Sequence, residues 1–283
     1  MPVYNDEVHV RAALDSLLAQ SFTDFELLIS DNASTDGTGA ICAAYASRDA
    51  RIRYVRQPRN LGATANWNFV AREARGRFFK WAASNDVCPP YMLEHCVAVL
   101  RSRPDVALCY GRTVLIDDRG QPVGEHTSDP EILDPRPSVR FIRLLNELAW
   151  NNAQAGLIRT EALRRTRLDR DYMDGDMVLM AELVLNGGFR KLDEVFLYRR
   201  MDKGSATCFL SDAERQEFLV PGSSGRSAPV IRRHVDRVLS VCCARIPLRE
   251  KAAALSYALK SAYWDRGKIV RNVKDFLRSE PVR

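Results

Sequence analysis

From Phe25 to Ser30 the chain is almost continuously apolar; it then reaches Asp31 and a polar stretch, Asn32-Ala33-Ser34-Thr35-Asp36-Gly37-Thr38. Such a run predicts a strand covered on both faces, as in a parallel sheet. Around it the apolar spacing alternates between strand and helix. Leu14, Leu17 and Leu18 share one face of a predicted helix from about Glu7 to Ala19, which Asn5 or Asp6 can cap. A helix over 38–46 follows, capped from the Ser34/Thr35/Asp36 cluster, then a strand over 52–56, a helix over 63–74 and a strand over 78–83. Pro90 opens a helix that runs to about Ser102, a position where proline is well tolerated. Val106 to Ile116 predicts a strand, which Asp118-Arg119-Gly120 turns back as a hairpin.

This βαβαβ order predicts an α/β fold, a mostly parallel sheet flanked by helices. The second half is less regular, with helices expected over 138–149, 160–165 and 176–185 and a strand over 189–198. Pro221-Gly222-Ser223-Ser224-Gly225 reads as a linker. Amphipathic stretches over 232–244, 249–263 and 268–278 then form a C-terminal helical appendage, so we divide the chain into a domain over 1–220 and an extension over 221–283. A fold of this kind opens with a strand, yet the chain starts inside the loop Pro2-Val3-Tyr4-Asn5 that such a strand leads into. Either the true start lies upstream or a strand has been lost. We favour the first, because a missing central strand leaves two unpaired edges.

Composition narrows the classes. At 283 residues, 46% hydrophobic and 28% charged, the chain can bury a full core. It has no stretch of ~18 uninterrupted apolar residues and no basic-then-apolar leader, so a cytoplasmic protein is expected. Seven cysteines form no C-x-x-C pair and point to reduced, mostly buried thiols. Four scattered histidines give little material for a zinc site or a histidine-based triad. The net charge of +6 gathers in the C-terminal helices, while Glu125 to Asp134 is acidic. Basic residues are not interleaved with aromatics near the motifs, which argues against nucleic acid. The basic tail is either a solvated face or a contact with an acidic acceptor, another copy, or the inner face of a membrane.

The candidate chemistry follows the strand ends. Asp31 ends a buried strand, where open α/β sheets bind ligands. It can accept from a ribose or a base, or it can cap the next helix, a task Thr35 and Asp36 already fill. Asn60 and Gly62 stand on the next strand-to-helix loop, where glycine permits close approach and asparagine can pair with a base edge; an ordinary turn has the same pattern. Ser84-Asn85-Asp86 follows a strand, and Asp86 with Asn85 can hold a divalent ion or cap the helix at Pro90. Asp176, in Asp174-Gly175-Asp176, stands at a helix start, as a general base or as a cap.

Taken together these segments resemble an inverting glycosyltransferase of the GT-A fold, family 2, over roughly Met1 to Asp202. The resemblance implies a nucleotide-sugar donor, a UDP-sugar first, and a saccharide or lipid-linked hydroxyl acceptor in glycan or polysaccharide synthesis. It implies that Pro2, Tyr4, Asn5, Glu7 and Asp31 surround the base and ribose, with Asn60, Gly62 and Asn66 completing that wall. It implies a magnesium or manganese ion at Asp86 and Asn85, and Asp176 as the catalytic base. The chain departs from the pattern in three places. Asn85 weakens the acidic motif, Tyr198-Arg199-Arg200-Met201-Asp202-Lys203 has two arginines where a histidine often follows, and the first strand is missing. A non-catalytic relative that keeps the nucleotide pocket is therefore the alternative. A nucleotidyltransferase would need a glycine-rich basic loop near the N-terminus, and none is present.

Overall fold

The computed structural model describes residues 1–126, 128–201, 210–223 and 229–278. Three parallel strands begin the fold. β1 (Pro2–Val3) lies beside β2 (Leu27–Asp31), with Val3 opposite Asp31, and β2 lies beside β3 (Ile52–Arg56), with Leu27 opposite Ile52. All five residues of β2 are buried. Leu27 and Ile29 pack with Val10, Leu14 and Leu17 of α1 (Val10–Leu18) and Ile41 of α2 (Thr38–Ala46). Leu28, on the opposite face, packs with Val70 and Ala71 of α3 (Ala63–Glu73). Cover on both sides of the pleat accounts for the unbroken apolar run.

The opening strand, expected to be absent, is present as two residues. The Met1 ammonium is buried beside it and donates to the Leu28 carbonyl at 2.7 Å, and burial pushes its pKa down to about 5. Two residues are too few to carry the sheet further, and among the described residues β1 pairs only with β2. The expected helix start also moves. α1 begins at Val10 with no side-chain cap: the Asn5 side chain accepts from the loop after β2, and the Asp6 carboxylate accepts from Ser84.

A second sheet carries the rest of the site. Its strands are β4 (Phe78–Phe79), β5 (Val106–Ile116), β6 (Pro122–His126), β7 (Leu157–Arg159) and β8 (Gly188–Arg200). β5 runs parallel to β8 and antiparallel to β6 and β7, and β7 is antiparallel to β4. β4 is shorter than the expected strand over 78–83: the chain leaves the sheet at Lys80, whose ammonium turns to the Ala155 carbonyl. Val87 then bridges Tyr198 of β8 in both directions, at 3.0 and 2.8 Å, which fixes the 84–86 loop at the end of that strand. α4 (Met92–Ser102), α5 (Pro137–Glu147), α6 (Thr160–Arg164) and α7 (Gly175–Asn186) flank the sheet, and α7 is buried almost throughout.

α8 (Asp212–Leu219) was not expected, although its capping box is written in Ser211 and Glu214. It lies against α3, and the Leu219 carbonyl covers Gly62 so closely that a Cβ there would stand 2.4 Å from it. The expected linker lies partly outside the described residues, at Ser224 and Gly225, as do Asp202 and Lys203. α9 (Pro229–Cys243) docks on α7, α10 (Leu248–Trp264) on α5, and α11 (Arg266–Arg278) on α9. Val241, Ala254 and Ala258 enter the same cluster as Leu179 and Phe141. Arg167 clamps this junction, reaching Glu182 at 2.6 Å and Asp236 at 2.7 Å, and the Tyr172 hydroxyl donates to Asp236 at 2.6 Å. Cys42, Cys88, Cys96 and Cys109 are free and buried, Cys242 and Cys243 free and exposed.

Candidate active site

The loops after β1 and β2 are laced together. Asn5, at a positive φ of 47° that asparagine tolerates, donates from its main chain to Ser34 Oγ at 3.0 Å and accepts from Thr35 N–H at 2.7 Å. Asp6 N–H donates to Thr38 Oγ1 at 2.7 Å. Glu7, though exposed, accepts from Gly37 N–H at 2.6 Å, so its carboxylate closes the loop at the start of α2. Pro2 is buried in β1, and Tyr4 is exposed at the rim.

Asp31 is wholly buried and fully engaged. It accepts from Ser34 N–H at 2.8 Å, from the Tyr54 hydroxyl at 2.8 Å and from Arg56 Nη1 at 2.6 Å. Burial, then the bond to Asp31, pushes the Tyr54 phenol up to about 12. Next to it, Asn32 joins the third loop: its Nδ2 donates to Asn60 Oδ1 at 2.8 Å, and its Oδ1 accepts from Leu61 N–H at 2.8 Å. Gly62 N–H also donates to Asn60 Oδ1, at 2.8 Å. Asn66 sits beneath this wall, not in it. Both ends of its buried amide are bound to Ser30, accepting from Oγ at 2.5 Å and donating to the carbonyl at 2.9 Å. Four residues past Gly62, the helix has turned this side chain back under β2.

The acidic loop is tied to both halves. Ser84 Oγ donates to Asp6 Oδ2 at 2.6 Å. Arg200 N–H donates to Asp86 Oδ1 at 2.9 Å, and Arg200 Nε reaches the Asn85 carbonyl at 3.1 Å. Burial raises the Asp86 pKa, while Arg199, Lys80 and Arg200 pull the other way. No group of three or more histidine, cysteine or acidic side chains suited to a metal occurs among the described residues. The donor set still fits a magnesium-type ion, which takes one or two carboxylates and leaves its other positions to water and phosphate. Among the described residues no hydrogen bond falls on Asp86 Oδ2.

The opposite wall starts from the 3-10 turn Asn152–Ala155. Asn151 Nδ2 donates to Asp176 Oδ2 at 2.9 Å, while Met177 N–H donates to Asp176 Oδ1 at 2.9 Å. Burial raises the Asp176 pKa, the Asn151 bond lowers it and Asp174 raises it. Asp174 itself is left-handed, at a φ of 63°, and the turn it makes delivers Asp176 to the first turn of α7. One turn residue on, Asn152 accepts from Arg199 of β8. Gln154 Nε2 donates to Asp169 at 3.3 Å, and Asn68 clasps the Asp169 main chain at 3.0 and 2.9 Å. Burial, then the neighbouring Asp176, pushes Asp169 up to about 7. Sequence reasoning missed Asn32, Asn151, Gln154 and Asp169. Asn32, directly after a strand-ending carboxylate, is the one whose position could have flagged it.

Comparison with known proteins adds the family. Residues 1–172 match the model described as Glycosyl transferase family 2. An uncharacterized glycosyltransferase of Rickettsia bellii (strain RML369-C) is 27% identical over 151 residues, 52% of this chain and 21% of that protein. The chain thus spans about a fifth of that relative's length. Among solved structures, S. aureus TarS 1–349 in complex with UDP aligns with a TM-score of 0.66 at 18% identity, over 99% of this chain and 79% of that one. The mannosyltransferase PcManGT from Pyrobaculum calidifontis, in complex with GDP-Man and Mn2+, aligns with a TM-score of 0.54 at 15% identity, over 99% and 86%. Identities this low speak for the shared α/β fold. The family match, which covers more than half of the residues, makes this chain a member of glycosyl transferase family 2.

Proposed function

We propose that this chain transfers a sugar from a nucleotide-diphosphate donor, a UDP-sugar first, to a hydroxyl acceptor with inversion, in glycan or polysaccharide synthesis. The observation that carries the reading is Asp176, a carboxylate of raised pKa aimed by Asn151 at the start of α7, on the wall joined to Asp86 through Arg199. In this reading Asp176 takes the proton of the acceptor hydroxyl as its oxygen attacks the anomeric carbon from the face opposite the diphosphate. A single displacement inverts that centre. The Asn5, Asp31 and Asn60 loops form the nucleoside wall, and Arg199 and Arg200 offset phosphate charge. Asp86 and Asn85 would hold a magnesium or manganese ion, which when bound neutralises charge on the departing diphosphate.

Titration of UDP and GDP into the protein, with and without manganese, followed by assay of donor hydrolysis, tests this. Metal-dependent binding of one nucleotide together with turnover is the expected result. Nucleotide binding without any turnover favours the non-catalytic relative, for which the full internal pairing of Asp31 and the Asn85 position speak. The basic C-terminal helices support a peripheral contact with an anionic lipid surface. Leu259, Tyr263 and Trp264 are exposed beside Lys260 and Arg266, and no helix among the described residues is long and apolar enough to cross a membrane. Sedimentation with phosphatidylglycerol vesicles but not phosphatidylcholine vesicles is expected; equal recovery with both removes this contact.

A further inference from the structure

Trp150 is an indole 45% exposed at the start of a turn otherwise made of polar and small side chains. Its ring stacks on His126, with centroids 5.4 Å apart and planes 11° from parallel. The imidazole is held in turn: His126 Nε2 lies 2.9 Å from Ser128 Oγ and 3.4 Å from the buried Asp129 carboxylate. Burial, then Arg199 and Lys191, lowers the His126 pKa, which favours the neutral imidazole. The platform therefore joins the end of β6 to the turn that carries Asn151 and Asn152.

Those two neighbours hold an unusual deficit. Asn151 spends its Nδ2 on Asp176, yet its Oδ1 is buried without a hydrogen-bond partner. Asn152, 5% exposed, spends its Oδ1 on Arg199, yet its Nδ2 is buried without one. An unmatched acceptor and an unmatched donor, on consecutive residues, flank an open aromatic ring beside the candidate base. Buried amide groups are seldom left unpaired, and two unpaired ones next to an exposed ring point to a ligand that completes them. A pyranose has what is missing: one face of C–H groups that lies on an aromatic ring, and hydroxyls at its edge that both donate and accept.

We propose that Trp150 and His126, with Asn151 Oδ1 and Asn152 Nδ2, form the acceptor subsite, a platform for an uncharged pyranose ring. The proposal rests on reading Asp176 as the base, since stacking on Trp150 brings a sugar hydroxyl to the residue that Asn151 orients. Trp150 fixes the plane of the ring, and the two amides select among hydroxyl configurations.

Saturation-transfer NMR on the full chain tests it with methyl pyranosides of glucose, galactose, mannose, N-acetylglucosamine and rhamnose as probes. UDP and GDP are titrated into the same proteins. At least one glycoside should receive saturation at its ring protons. That signal should fall at least about fivefold in Trp150→Ala and keep more than about half its strength in Trp150→Phe, with nucleotide binding unchanged in both. His126→Ala, which leaves the indole in place, should give an intermediate loss. It decides the matter with Trp150→Phe if Trp150→Ala does not fold. Equal contact in wild type and Trp150→Ala overturns the platform, and so does a panel in which no glycoside responds to the wild type. Trp150-dependent glycoside contact without binding of either nucleotide keeps the platform and removes the donor reading instead.

Discussion

The loops that end β1 and β2 are held by side chains reaching main-chain groups 29 to 32 residues away, and nearly every polar atom there has its partner within the protein. The turn before β7 and the first turn of α7 differ. Two of their amide atoms are buried and unpaired, beside Asp169 and Asp176; burial raises the pKa of both, as it does that of Asp6 on the first wall. One wall is complete before any ligand arrives, and the other is incomplete without one. A finished wall suits recognition of a rigid, recurring group such as a nucleoside, whose binding then needs little reorganisation. An unfinished wall suits chemistry: a buried carboxylate in search of a proton and amides in search of hydroxyls gain most when an acceptor enters.

The largest effect should come from the unfinished wall. Asp176→Asn keeps the shape and removes the proposed base, so transfer should fall by about 10²–10⁴ while nucleotide affinity holds. Nucleotide release assays and calorimetry on the same variant separate the two, and lost nucleotide binding would show that the role is misassigned. Arg167→Ala comes next. It leaves Glu182 and Asp236 facing each other without their shared cation, and since Arg167 is partly exposed we expect a loss at the low end for a broken buried pair, about 3 kcal/mol in denaturant unfolding. A change under about 0.5 kcal/mol would mean that α9 is not anchored through this clamp. On the finished wall, Asp31→Ala strips the partner from Tyr54, Arg56 and Ser34 N–H at once. Nucleotide affinity should weaken about tenfold, one hydrogen bond to a charged group being worth about 1.5 kcal/mol. Unchanged affinity would take Asp31 out of the pocket.

The same contrast explains what could be read from the sequence. Phe25 to Ser30 announced a two-faced strand because burial on both sides leaves its mark on every residue, and Asp31, Asn60 and Gly62 stood out as the polar ends of such elements. Asp176 stands out as a carboxylate at a helix start, but its partner Asn151, and the pair Gln154 and Asp169, carry no such mark. Their pairing depends on how the turn before β7, the segment around Asp169 and α7 settle in three dimensions, and no local period encodes it. Pro2–Val3 is too short for any periodicity, and the loop motif before α3 does not show that rotation around the helix carries the Asn66 amide to Ser30. The box at Ser211 and Glu214 is a local signal that was there to be used.

The smallest expected effect tests whether the unfinished wall holds a proton as described. Burial, and then Asp176, pushes Asp169 from its ordinary 3.8 up to about 7. Between these values the folded protein keeps a proton that the unfolded chain has released. Stability therefore falls as pH rises from about 4 to about 7 and levels off above that. Asp129, raised to about 7 by its own burial, adds a fall of the same sign, so the wild-type profile alone cannot isolate Asp169. Asp169→Asn can, because the amide matches the carboxyl in shape, still offers an oxygen to Gln154 and does not titrate. Its melting temperature relative to wild type should climb between pH 5 and pH 8, by about 2–4 °C for a chain of this size. A difference that stays flat across that range would mean that Asp169 is ionised throughout, and that this wall is as fully paired as the loops after β1 and β2.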